Sequence, residues 1–410
     1  MTISILSDAP ASRDLLDFGR YCDPLVEILT DEVLETPLTI GIFGAWGSGK
    51  STLLGMLERQ LESFGDKFLC VKFNPWVFRK EKNLLIPLLH AIRDTMSESF
   101  GGKFKESAAR ISDVLLHIGA DVLLRHITVG KVTLDSLEKY EKAYLDRKGI
   151  VDNQLRNLRE SLAVQAKKLH EGGTTMVLLI DDLDRCDPTE MIDLLEALKL
   201  FLDVEHVVHV LAVDKEVIDR GVEVKYGKYG FAEERKASLG AEYMEKMIQI
   251  PVYLFPLHEN QVIGFIKAHD LSFGKEEVLD LIAEGLTPNP RKVKRVLNSI
   301  ALTCRAIGDK QPDWRIVAAL AIVRVEEPEL YAEFARLPKL LVALQRVYAR
   351  EWSIQSDTDF VASFKDKATF VRERCVFWYK PASPLAALFR VDFASAQDRL
   401  GEYLSVVGGR

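Results

Sequence analysis

The patterning of this chain predicts an α/β fold, a parallel sheet flanked by helices with a helical C-terminal domain after it, on three observations. Near-continuous apolar runs at Leu38–Phe43, Met176–Ile180 and Val207–Val213 suit strands covered on both faces. Apolar residues at helical spacing follow the first two, at Leu53, Leu54 and Leu57 and at Ile192, Leu194, Leu195 and Leu198, so strands alternate with helices as right-handed crossovers require. From Asn260 onward the strand pattern fades and helical spacing continues, broken at Pro288 and Pro290. The 410 residues, 48% hydrophobic and 28% charged, suffice for one large core and a smaller one.

Residues 1–13 are polar and expected to be a disordered tail. Leu15, Leu16, Phe18, Tyr21, Leu25, Ile28 and Leu29 then recur at helical spacing before the break at Pro37. Lys67–Phe73 alternates enough to be a second strand, ended by Asn74-Pro75-Trp76, and Leu84 to Met96 reads as a helix. Roughly 130 residues separate Lys50 from the next acidic segment, which is long for a minimal core and implies a helical insertion at about 80–170. Within it Leu155, Leu158, Leu162, Gln165 and Leu169 step by three and four, as in a helix packed on its own domain or in an intermolecular coiled coil. Ile111 to Val129 is more apolar but carries Asp113, Asp121, Arg125 and His126, each costly at a bilayer centre, so no membrane span is expected. The expected division is a core over 14–258 and a C-terminal helical lid and tail over 259–410.

A net charge of −7 argues against coating nucleic acid or anionic lipid by charge alone. Cys22, Cys70, Cys186, Cys304 and Cys375 are scattered, odd in number and without a CxxC pair. Neither a disulfide framework nor a zinc site is indicated, and a reducing, cytoplasmic location is expected.

The chemistry concentrates after the first apolar run, where Gly44-Ala45-Trp46-Gly47-Ser48-Gly49-Lys50-Ser51 spells GxxxxGKS. Glycines let a backbone wrap a polyphosphate, with successive N–H groups and the positive end of the next helix directed at the anion. Gly44 through Thr52 is therefore the candidate nucleotide-binding segment of a P-loop NTPase. Lys50 is expected on the β- and γ-phosphates of ATP and Ser51 on Mg²⁺. A buried strand ending in acids is where such a fold needs further Mg²⁺ ligation, which assigns Asp181. Asp182 stands where a base would orient the attacking water, with Asp184 as its rival and a helix N-cap as the alternative for either. Arg185 contacts phosphate in its own chain, serves a neighbouring subunit, or pairs with Asp182 or Asp187. Asp214 is a γ-phosphate sensor or a turn-initiating aspartate. Farther along, Arg291, Lys292 and Lys294 crowd the first turn of a helix, where a bound anion would offset the dipole; a solvated basic face is the alternative.

With Phe73-Asn74-Pro75-Trp76, Ile180-Asp181-Asp182-Leu183-Asp184-Arg185-Cys186, Leu211-Ala212-Val213-Asp214, Tyr243-Met244-Glu245-Lys246-Met247-Ile248-Gln249 and Pro290-Arg291-Lys292-Val293-Lys294-Arg295-Val296-Leu297-Asn298, the phosphate loop resembles the KAP family of P-loop NTPases over roughly residues 14 to 345. The resemblance implies an additional-strand nucleotide-binding fold of the AAA+ and STAND kind, with Asp182 as base and Arg291 as a sensor-like cation. Many members carry transmembrane hairpins where this chain has its helical insertion. Soluble bacterial members resemble components of multi-gene systems against phage or mobile elements, in which nucleotide state gates a protein partner or self-assembly. The readings carried forward are a Mg²⁺-dependent ATPase, a nucleotide switch with little turnover, and a motor stimulated by nucleic acid.

Overall fold

The computed structural model describes residues 5–9, 13–81, 84–99, 159–226, 233–269, 276–307, 312–349, 364 and 388–408. Ile111 to Val129 and the first part of the charged arm, with Leu155 and Leu158, lie outside the described residues. The chain forms two compact units, one of Phe18–Leu254 and one of Phe255–Arg410 with Met1–Asp17.

The first unit is built on a five-stranded sheet of β1 (Leu38–Phe43), β2 (Phe68–Phe73), β3 (Thr175–Ile180), β4 (Val207–Val213) and β5 (Ile250–Tyr253), ordered β2-β3-β4-β1-β5. Every pairing is parallel. All residues of β1 and β4 are buried, as are all but the first of β3, which is why these three read as unbroken apolar runs. The edge strand β2 instead alternates, burying Leu69, Val71 and Phe73 while Lys72 points out to an ion pair with Glu58 at 3.0 Å. Sequence patterning gives no sign of β5. It has four residues, only half-buried on alternate positions, and contains Pro251, which an edge strand tolerates because one side of it makes no ladder. The β4 strand lies between β1 and β3, the additional-strand arrangement expected from the resemblance.

Helices α1 (Gly19–Thr30), α2 (Lys50–Glu62), α3 (Leu85–Ser99), α4 (159–171), α5 (Pro188–Ala197), α6 (Lys215–Tyr226) and α7 (Glu233–Met247) accompany the sheet. In α4, Leu162, Ala166 and Leu169 are buried in the same core as Leu69, Leu88, Met176 and Leu178. This half of the leucine stripe therefore packs on its own domain, and Gln165, at 1% exposure, is buried with it. Cys70 and Cys186 are free thiols pushed up to about 12 and about 11, by burial first and neighbouring carboxylates second, which keeps them protonated and unreactive.

The second unit is helical, with α8 (Glu259–Lys267), α9 (Glu276–Gly285), α10 (Pro290–Ile307), α11 (Trp314–Glu326), α12 (Pro328–Arg336), α13 (Lys339–Tyr348) and α14 (Leu400–Gly408). Helix α11 is buried on every side from Ile316 to Val323, as the central member of a bundle must be, and it contacts α9, α10, α12 and α14. The N-terminal segment lies along α10: the Asn298 side-chain amide donates to Leu6 O at 2.8 Å, and its oxygen accepts from Leu6 N at 2.7 Å.

In the middle of β4, His209 is 2% exposed, with Nδ1 3.5 Å from Thr39 Oγ1. Burial lowers its pKa to about 4 from an ordinary 6.5. The unfolded chain therefore takes up this proton first as pH falls. The stabilising effect of a neutral histidine is complete above pH 6.5 and lost toward pH 4, on the order of 3 kcal/mol from the size of the shift. Urea unfolding of His209→Gln should show a smaller loss of stability between pH 7 and 4.5 than the wild type. Equal losses would show that this imidazole does not drive the pH response.

Candidate functional site

Because all five strands run the same way, the segments after β1, β2, β3 and β4 gather at one edge of the sheet. The glycine loop after β1 turns through a Ser48 N–H to Ala45 O hydrogen bond of 3.0 Å and through positive φ at Gly47 (86°) and Gly49 (105°). Gly49 is the N-cap of α2, so the unpaired amides of that helix face the loop. A Cβ on Gly49 would collide with the Phe18 ring, at a φ that already disfavours a side chain, and one on Gly44 would displace the Ser48 hydroxyl. Ser48 Oγ is itself buried without a hydrogen-bond partner. A cradle of amides with one unspent hydroxyl suits an anion. Ser51 and Thr52 follow on the first turn of α2.

Lys50, 8% exposed, donates to Gly44 O at 2.7 Å and meets Asp184 Oδ2 at 3.3 Å. The rival base Asp184 is thus engaged with the loop lysine. Asp181, at the tip of β3, donates its N–H to Phe73 O at 3.0 Å, and its Oδ1 accepts from Asp182 N at 2.9 Å, with the Ser51 hydroxyl close by. Burial raises the Asp181 pKa, the charges of Asp182 and Asp184 add to it, and the Ser51 hydrogen bond opposes it. A divalent cation would offset this cost, and the adjacent hydroxyl and carboxylate oxygens are the hard donors Mg²⁺ takes. The residues present fit the ion.

Asp182 has φ 57°, an uncommon conformation for a residue with a side chain, and the turn tips its carboxylate toward two partners. Asn74 Nδ2 donates to Oδ2 at 2.9 Å, and Arg185 Nε lies 2.9 Å from Oδ1. Neither Asp182 nor Asp184 caps the next long helix: Asp187 does so, accepting from Thr189 N at 2.9 Å. Of the two carboxylates considered for Arg185, the structure shows Asp182. Asp214 Oδ1 accepts from Glu216 N at 3.1 Å and so starts the turn into α6.

Arg291 belongs to the second unit, where its Nε is 3.6 Å from Asp8. On the same helix Lys292 pairs with Glu326 at 2.7 Å and Lys294 donates to Ser7 O at 2.9 Å. Asn289 caps the helix, its Oδ1 accepting from Arg291 N at 3.0 Å. Asp8 and Glu326 supply the negative charge that the crowded N-terminal turn needs.

Asn74 is the residue whose role sequence reasoning missed. Its Oδ1 accepts from Trp76 N at 3.1 Å, an Asx turn forced by the following Pro75, and this leaves Nδ2 directed at Asp182. The signal available was an asparagine just past a strand end; that β2 neighbours β3 is knowledge only the sheet order supplies.

The KAP family P-loop domain matches residues 18–307. The chain belongs to the KAP family of P-loop NTPases. It is similar to the phage T7 exclusion protein of Escherichia coli K12, at 24% identity over 358 residues that cover 80% of this chain and 46% of that protein. The KAP chain thus spans about half the length of that relative. A shorter stretch of 59 residues, 14% of this chain and 3% of the other, is 36% identical to the kinase D-interacting substrate of 220 kDa of Homo sapiens. Among solved structures it is similar to the ORC2 protein of Aeropyrum pernix, with a TM-score of 0.41, 13% identity and coverage of 95% of this chain and 93% of that one. Among the described residues, no helix is long and apolar enough to cross a membrane.

Gly49→Ala combines a disfavoured φ with the Phe18 collision, each of which costs about 1–3 kcal/mol. The variant should melt several degrees lower and lose nucleotide affinity in calorimetry. Unchanged melting and affinity would mean that the loop opens freely. Asn74→Ala should cost on the order of 1 kcal/mol through the lost cap.

Proposed function

We propose that this KAP protein binds ATP with Mg²⁺ at the loop Gly44–Ser51 and hydrolyses it slowly. The observation that carries the reading is the convergence of Lys50, Ser51, Asp181 and Asp182 at one sheet edge, with Lys50, Asp181 and Asp182 held by specific polar contacts. The loop amides and the N-terminus of α2 would bind the phosphates, and Lys50 would exchange Asp184 and Gly44 O for phosphate oxygens. Ser51 and Asp181 would hold Mg²⁺, which neutralises phosphate charge when bound. Asp182 would accept the proton of the attacking water, and Arg185 would stabilise charge developing on the phosphoryl oxygens. Asp214, at the end of β4, would sense the γ-phosphate, and the family resemblance supports a sensor-like role for the cation of Arg291.

A nucleotide switch with little turnover is the second reading, and one observation favours it: both oxygens of Asp182 are already engaged, by Asn74 and Arg185. In either case nucleotide state would gate self-assembly or a protein partner. The likeness to a phage T7 exclusion protein supports a place in defence against phage or mobile elements. Nucleic acid is not indicated by the charge of −7.

Titration calorimetry with Mg²⁺–ATP should give heat for the wild type and none for Lys50→Ala. Turnover should fall by about 10² or more in Asp182→Asn with binding retained. Absence of heat with folded wild-type protein would overturn the assignment, and turnover equal in wild type and Asp182→Asn would leave the switch.

A further inference from the structure

Building on that nucleotide site, we propose that Arg185 is a movable clasp acting in its own chain: Trp46 and Trp76 hold it on Asp182, and the phosphates of a bound nucleotide draw it off. Three segments distant in sequence meet at this guanidinium. Its centre lies 5.8 Å from the Trp46 ring, in the phosphate loop, and 5.2 Å from the Trp76 ring, in the turn after β2. Its own backbone belongs to the turn after β3, where Arg185 N donates to Asp182 O at 3.2 Å. Stacking on indole faces fixes the plane of an arginine without consuming its N–H groups.

The hold is incomplete in ways that favour exchange. Arg185 Nε is buried and close to Asp182 Oδ1, yet no hydrogen bond is aligned along that contact, so its donor capacity is unspent. Trp46 is 66% exposed and Trp76 36%, so the rings can shift without disturbing the core. Trp76 also carries a second cation, with the Arg79 guanidinium 5.1 Å from its ring. A triphosphate cradled by the loop brings more negative charge into the same region than the single carboxylate of Asp182. Transfer of Arg185 to the phosphates then frees Oδ1 of Asp182 to accept from water, while Asn74 keeps Oδ2 and the orientation. Trp46, as a member of the loop, senses its wrapping directly. Trp46 and Trp76 are therefore positioning residues, and a tethered Arg185 is not free to serve a neighbouring subunit.

Tryptophan emission of the full-length protein reads the clasp without requiring catalysis. Arg185→Ala should differ in emission from the wild type without nucleotide, and Mg²⁺ with a non-hydrolysable ATP analogue should move wild-type emission toward that of Arg185→Ala. The double variant Trp46→Phe, Trp76→Phe should lose the analogue-induced shift and lower kcat more than it raises KM. Mixing Arg185→Ala with Lys50→Ala protein should restore no turnover. Identical emission of Arg185→Ala and wild type without nucleotide, bound analogue with unchanged wild-type emission, or restored turnover in the mixture would each overturn the clasp. Absence of calorimetric heat would defeat the nucleotide site instead, and the nucleotide-free comparison would still judge the clasp.

Discussion

A buried cation is tolerated only where oxygen atoms replace its water, and Lys50 meets that condition through Gly44 O and the Asp184 carboxylate. The pair ties the loop after β1 to the turn after β3, two strands that do not touch because β4 runs between them. The surrounding geometry follows from this constraint. Asp184 must face the loop, so the turn that carries it bends sharply at Asp182, whose positive φ tips its carboxylate to Asn74 and Arg185. Burying one carboxylate against a lysine leaves the neighbouring Asp181 in a poorly solvated, negatively charged corner, where a divalent ion is welcome.

The charge arrangement also explains why turnover is expected to be slow. Every carboxylate of the acidic turn has a partner within the protein: the Asp182 N–H for Asp181, Asn74 and Arg185 for Asp182, Lys50 for Asp184. These contacts hold the turn in place although Arg185 Nε has no aligned hydrogen bond, and rearranging them requires a competing charge of comparable strength. A polyphosphate is such a competitor. Affinity and rate would then be coupled to how easily the protein's own ion pairs give way.

In the helical unit, the basic start of α10 makes the same point on a smaller scale. A cluster of cations at a helix N-terminus reads as an anion site, yet Asp8, Glu326 and the Ser7 carbonyl already answer it. None of these partners is near it in sequence. Local sequence displayed the electrostatic need and could not show what meets it.

Local chemistry was legible wherever it depends on neighbours along the chain. The unbroken apolar runs of β1, β3 and β4, the glycines of the loop, the helix starting at Lys50 and the acids ending β3 each follow from periodicity or steric rules within a few residues. The edge strand β5 escaped because four half-buried residues with a proline carry too little pattern, and Asn74 because its target is set by which strands lie side by side. Tertiary structure alone decided that Asp184 serves Lys50, that Asn74 and Arg185 share Asp182, and that two tryptophans from different loops flank one guanidinium. Sequence dictates which groups a segment offers. The order of strands in the sheet dictates which of them meet, because hydrogen bonds and ion pairs act over a few ångströms while the residues that make them are separated by most of the domain.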